Sequence, residues 1–95
     1  MSLQFEWDPK KAKANEAKHG VPFEEAITVF ADPLARIFDD VAHSVGEQRE
    51  IIIGYSARRN LILASFTEAE GRVRLISARK ATRTERNDYE ENLDS

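Results

Sequence analysis

The sequence predicts an α+β domain with two N-terminal helices, an antiparallel sheet of about four strands, and a C-terminal helix. Three observations lead there. The apolar period changes from helical to strand-like near Leu34, and the turn residues Arg58-Arg59-Asn60 and Glu70-Gly71 are short enough to join the later strands as a meander. Thr82 and Glu85 then stand at capping-box spacing ahead of a charged last segment. The order is strand, helix, helix, four strands, helix, in one domain spanning residues 1–95.

Each element has its own signal. Phe5 to Trp7 suits a short strand, and Asp8-Pro9 reads as an N-cap followed by proline at the first helical position. The first helix runs to about His19, where Gly20 supplies a left-handed terminus and Val21-Pro22 forces an extended step. Phe23, Ala26, Ile27 and Phe30 form the apolar stripe of a second helix, which Asp32-Pro33 stops. Leu34 to Phe38, Glu50 to Tyr55, Leu61 to Thr67 and Arg72 to Ser77 are the strand candidates. Ile51-Ile52-Ile53 and Leu61-Ile62-Leu63 are nearly continuous apolar runs, so these two strands are expected to be central or covered on both faces. The last helix starts near Arg83, and its large apolar residues are Tyr89 and Leu93. So narrow a stripe predicts weak packing on its own domain, or docking elsewhere.

Composition removes several function classes. There is no cysteine, hence no disulfide and no thiol metal site. No stretch approaches the roughly 20 apolar residues of a membrane span, and no leader pattern opens the chain, so the expectation is cytoplasmic with no membrane partner. The net charge of -3 is unevenly distributed: residues 1–48 sum to -4, residues 49–86 to +5, and residues 87–95 to -4. A basic middle between acidic ends attracts phosphate locally, because salt screens charges beyond about 8 to 10 Å. Glycine-rich nucleotide loops, the serine elbow and the two-histidine zinc motif are all missing.

The segment from Arg72 to Glu85 carries the strongest chemical signal. An apolar strand runs into a basic turn and a capped helix, which sets several guanidinium forks at one junction. Such forks match phosphate oxygens, so a phosphate-bearing ligand, RNA first, is the predicted partner. Cleaving RNA without metal needs a base for the 2′-hydroxyl, donors for charge building on phosphorus, and an acid for the leaving oxygen. Arg74, Arg79, Lys80 and Arg83 are candidate donors, with Arg74 on the opposite side of its strand from Val73 and Leu75. Glu47, His43 and Glu85 are the available proton carriers. Glu47 and Arg49 share a face if the strand already begins there, and their ordinary reading is a surface ion pair. His19, beside Lys18, reads first as a cation closing the helix dipole. Asp39, Asp40 and His43 resemble an incomplete metal site whose spacing is unspecific; no metal or other cofactor is predicted. Trp7 and Tyr55 suit base stacking, although Trp7 reads better as core.

Several blocks resemble the BrnT toxins: Phe5-Glu6-Trp7-Asp8-Pro9, Asn15, Lys18-His19-Gly20-Val21, Phe23-Glu24-Glu25-Ala26, Phe30, Asp32-Pro33, His43-Ser44, Glu47, Arg49, Ile53-Gly54, Arg74 through Thr82, Glu85 and Tyr89. The resemblance spans nearly the whole chain. It implies a RelE-like fold and a metal-independent ribonuclease toxin of a type II toxin-antitoxin module, in a hetero-oligomer with a BrnA-type antitoxin that also binds operator DNA. On this basis Arg74, Arg79 and Lys80 are expected as phosphate and transition-state donors and Glu47 and His43 as proton carriers. Arg49, Arg72, Arg83, Lys18 and His19 are the expected substrate contacts. One departure is Ala69, after Thr67-Glu68, where the family pattern leads us to expect arginine; Arg72 is the candidate substitute.

Two other classes compete. A catalytically idle module would bind an antitoxin within a repressor complex, a reading favoured by the thin set of proton carriers together with Ala69. A DNA-binding domain has less support, since no basic reading helix is evident and the last helix is rich in acids.

Overall fold

The computed structural model describes residues 3–43 and 46–93, with His43 and Leu93 described through their backbone alone. Strand β1 (Gln4–Glu6) leads into helix α1 (Pro9–His19), then the short helix α2 (Phe23–Ala26), a 3-10 turn (Ile27–Ala31) and strand β2 (Arg36–Asp39). A second 3-10 turn (Val41–His43) precedes β3 (Glu50–Tyr55), β4 (Leu61–Ala69), β5 (Arg72–Lys80) and helix α3 (Arg83–Leu93).

The sheet has five strands in the order β1-β5-β4-β3-β2. This corrects the expectation of a four-stranded antiparallel sheet, because β1 pairs in parallel with β5, Phe5 opposite Val73. Three residues give no alternation to read, and only the free outer edge of β5 recruits them. The rest is the predicted meander, with β3 and β4 central as their apolar runs required.

Helix α1 starts and stops where local chemistry directs. Asp8 Oδ1 accepts the Lys10 N–H at 2.8 Å, Pro9 occupies the first turn, and Gly20 closes the helix at φ 73°. The second predicted helix is α-helical only to Ala26 and then tightens. Phe23, Ala26 and Val29 are fully buried, a three-residue period that matches a 3-10 turn, and the Thr28 hydroxyl donates to the Glu25 carbonyl at 2.6 Å.

One face of the sheet, under α1 and α2, holds the main core, including Val21, Phe23, Ile62, Phe66, Val73 and Leu75. Phe30 packs on Phe5 and Phe66 with ring centroids 5.1 Å apart in each pair, and Trp7 meets Phe23 edge-on at 5.8 Å, a core role. On the same side, the buried Glu25 carboxylate accepts from Ser56 Oγ at 2.6 Å and Asn60 Nδ2 at 2.7 Å, which ties α2 to the β3–β4 turn. Burial opposes its charge, yet those hydrogen bonds and the nearby Arg58 hold its carboxyl below the ordinary value.

The opposite face carries a second cluster of Ile53, Leu61, Leu63 and Tyr89, over which α3 lies. As its narrow apolar stripe predicts, α3 packs thinly on the domain: among its described residues only Tyr89 is buried. Tyr89 is only 3% exposed, and its hydroxyl donates to the Leu34 carbonyl at 3.0 Å. Arg36 Nη2 donates to the Asn92 carbonyl at 2.7 Å, and the Tyr55 hydroxyl reaches Glu90 Oε1 at 3.2 Å. Polar tethers therefore supplement the narrow apolar stripe.

Asp32 anchors this corner: Oδ2 accepts the Tyr55 N–H at 2.8 Å and Oδ1 the Leu34 N–H at 2.9 Å. Gly54 makes room for it, because a Cβ there would stand 2.9 Å from Ala35 Cβ, 3.0 Å from Val29 Cγ1 and 3.1 Å from Asp32 Oδ2. We expect Gly54→Ala to cost about 1 to 3 kcal/mol through overpacking, read as a lower urea midpoint at unchanged m-value. An unchanged midpoint would show that the corner yields.

Candidate active site on the α3 face of β5

Strand β5 has an irregularity that decides which of its side chains lie together. Ser77 pairs with Ser65 and Leu75 with Phe66, so Ile76 has no partner and bulges. Val73 and Leu75 before the bulge and Ala78 after it all join the main core. Arg74 and Arg79 are five positions apart and would occupy opposite faces of a regular strand. With one extra residue between them, Arg74 (opposite Thr67), Ser77 (opposite Ser65) and Arg79 (opposite Leu63) share the α3 face. At a strand rise near 3.3 Å per residue the two arginines are roughly 15 Å apart along β5. That separation is too long for both guanidinium groups to grip one phosphate.

Arg74 is exposed, and its side chain makes no hydrogen bond or ion pair among the described residues. It lines a cleft of about 400 Å³ together with Glu6, Glu47, Thr67, Glu68 and Arg72. Arg72 Nη1 lies 3.9 Å from Glu6 Oε1, and Arg72 is directly opposite Ala69. Glu47 and Arg49 precede β3 instead of lying within it, and form an ion pair at 3.9 Å. Glu47 is nonetheless the carboxylate that enters the Arg74 cleft from the loop before β3.

Arg79 is held differently. Its Nη1 and Nη2 donate to Glu85 Oε1 and Oε2 at 2.7 and 2.8 Å, a head-on bidentate pair. Glu85 Oε1 also accepts the Thr82 N–H at 2.8 Å while Thr82 Oγ1 accepts the Glu85 N–H at 3.2 Å, which is the predicted capping box. The hydrogen bonds from Arg79, against the cost of burial and with help from the Thr82 N–H, hold the Glu85 carboxyl at about 2. Its folded value lies below the ordinary 4.5, so ionised Glu85 stabilises the fold above that pH and the contribution is lost as pH falls toward 2. The thermal midpoint is expected to drop across this window, and to drop less in Glu85→Gln; parallel curves for the two proteins would contradict the linkage.

The remaining candidates are dispersed. Lys80 is opposite Ile62, a core residue of the helix-covered face, and so lies on the other side of the sheet from Arg79. Lys18 and His19 close α1 on that same side. Arg83 is exposed in the first turn of α3. His43 ends a 3-10 turn, and its side chain falls outside the described atoms, as do Ser44 and Val45. The hydroxyls of Ser65, Thr67 and Ser77 on the arginine face were not identified from sequence. Their signal was present, since the apolar positions Val73, Leu75, Ile76 and Ala78 change parity midway along the strand. Among the described residues no group of three or more His, Cys, Asp or Glu side chains is placed to hold a metal ion, and no helix is long and apolar enough to cross a membrane.

Residues 7–85 match the family model described as ribonuclease toxin, BrnT, of type II toxin-antitoxin system. The chain belongs to the BrnT family. The matched span covers β2 through β5 and ends at Glu85, the residue that grips Arg79. A solved structure of the Brucella abortus ribonuclease toxin BrnT, determined at 1.1 Å, is similar with a TM-score of 0.66 over 86% of this chain and 100% of that one. Sequence identity is 24%, so this likeness speaks for the BrnT fold and not for individual residues. Comparison with curated proteins gave no match. Membership makes the chain a ribonuclease toxin with RNA as its target and an antitoxin as its partner.

Proposed function

We propose that this BrnT-family chain is an endoribonuclease that cuts RNA without a metal ion, on the α3 face of β5. The bulge at Ile76 carries the reading, because it turns two arginines and the Ser77 hydroxyl to one side of a single rigid strand. An RNA strand laid along β5 would meet Arg79 at one end and Arg72 and Arg74 at the other, with Arg49 and Arg83 as flanking cations.

Cleavage is assigned to the cleft shared by Arg74 and Glu47. One proton carrier takes the proton of the 2′-hydroxyl, whose oxygen attacks phosphorus. The bond to the 5′-oxygen breaks, and the second carrier returns a proton to that oxygen. Glu47 and His43 are the assigned pair, and Arg74 stabilises the charge that develops on the phosphoryl oxygens. The products are a 2′,3′-cyclic phosphate and a 5′-hydroxyl. Lys80, Lys18 and His19 take no part in this reading, since the sheet separates them from the cleft.

In the cell we assign the activity to the cytoplasm, where RNA cleavage would inhibit translation and growth. The proposed partner is a BrnA-type antitoxin, with operator DNA reached only through it. Purified chain should cut RNA in excess chelator and leave cyclic phosphate ends; chelator-sensitive cutting with 3′-hydroxyl ends would refute the metal-free route.

A second reading, an idle module that only binds the antitoxin, is favoured by one observation. Arg79, Arg49 and Arg72 each have a carboxylate partner within the chain. Absence of RNA turnover by purified protein that still binds the antitoxin would select it.

A further inference from the structure

The capping box at the start of α3 needs less from Glu85 than Glu85 provides. A box is completed by one acceptor oxygen, and glutamine serves as well as glutamate. Here Oε1 already accepts the Thr82 N–H, while Oε2 accepts Arg79 Nη2 at 2.8 Å. The carboxylate, as distinct from the cap, is therefore committed to the guanidinium.

The geometry of the guanidinium gives this pairing a direction. Glu85 takes the Nη1–Nη2 end, and the other Nη1 hydrogen reaches the Lys80 carbonyl at 3.3 Å. Nε and the outer Nη2 hydrogen have no acceptor among the described residues. Those two donors form a second fork of the shape that binds two oxygens of a phosphodiester. Arg79 lines a small cleft of about 80 Å³ with Ser77, Ser65, Ile51 and Leu63, on the face where Arg74 also lies.

We propose that Glu85 is a positioning residue, which clamps one end of the Arg79 guanidinium so that its Nε–Nη2 edge is presented to an RNA phosphate. The inference rests on Arg79 contacting phosphate, as proposed above. Glu85 itself touches no substrate atom. Because its charge partly neutralises Arg79, its removal leaves attraction for RNA intact or stronger. What is lost is orientation, and orientation is felt in kcat more than in KM.

The test is kinetic, on the full chain with a short RNA. Glu85→Gln keeps the box but cannot accept from both guanidinium nitrogens, and it should lower kcat by about 10-fold with KM unchanged or reduced. Thr82→Ala weakens the same helix start without touching Arg79 and should keep the wild-type kcat. In an Arg79→Lys background, where no fork remains to orient, adding Glu85→Gln should change nothing. Equal losses from Glu85→Gln and Thr82→Ala would reduce Glu85 to a helix cap and overturn the inference. A wild-type or faster Glu85→Gln beside a slow Arg79→Ala would overturn it too, the faster rate marking Glu85 as a restraint. A wild-type rate for Arg79→Ala would instead remove the phosphate contact on which both readings depend.

Discussion

Arg74→Ala is expected to lower RNA cleavage by about 10²- to 10³-fold, the usual loss when one donor to developing transition-state charge is removed. The fold should scarcely notice. Arg74 is exposed and its side chain has no hydrogen-bond or ion-pair partner among the described residues, so its truncation breaks no such contact, and its neighbours Val73 and Leu75 supply the packing of that segment. Single-turnover cleavage of a short RNA, with a thermal melt as control, measures both quantities. Lys80→Ala is the informative comparison, for it removes an equal charge six residues away in sequence but on the opposite face. We expect Lys80→Ala to cut at close to the wild-type rate. Equal losses from the two variants would mean that long-range charge, and not placement on the α3 face, governs activity.

Asn15→Leu is expected to give the largest loss of stability of any single change considered. Asn15 is 7% exposed and replaces a missing strand: its Nδ2 donates to the Ala78 carbonyl at 2.9 Å and to the Val21 carbonyl at 3.1 Å, while its Oδ1 accepts the Ala78 N–H at 3.0 Å. β1 pairs with β5 only as far as Arg74, so beyond the bulge the outer edge of β5 lacks a backbone neighbour, and Asn15 supplies one. Leucine has the same branched heavy-atom skeleton, in a somewhat larger volume, and no polar atom. Three backbone groups then lose their partner, each at about 1 to 3 kcal/mol when buried, and even the lower end of the sum, about 3 kcal/mol, would consume much of the stability of a small domain. Urea unfolding checks this; a midpoint close to wild type would show that water replaces the amide. Activity should fall with stability, because Ala78 immediately precedes Arg79 and the strand's path there sets the face that Arg79 occupies.

Local signals were readable wherever one or two residues fix a conformation by short-range contacts. Asp8 and Gly20 bound α1, Thr82 and Glu85 start α3, and the apolar runs in β3 and β4 mark central strands. The second helix was only half legible, since Phe23, Ala26, Ile27 and Phe30 fit an α-helical stripe while burial follows Phe23, Ala26 and Val29. The candidate site was legible as residue types and not as an arrangement. A basic cluster at the end of β5 is evident in the sequence, yet two of its cations, Arg79 and Lys80, lie on opposite faces of the sheet.

Sequence by itself determined the order of the elements, the meander, the helix caps and the basic junction, because each depends on interactions within a few residues along the chain. Tertiary structure decided the parallel pairing of β1, the docking of α3 through Tyr89, and above all the bulge at Ile76 that unites Arg74 with Arg79. Those features depend on partners far apart in the chain, such as Asn15 and Ala78, 63 positions apart. The energy of such a contact exists only once the sheet has brought the two residues together.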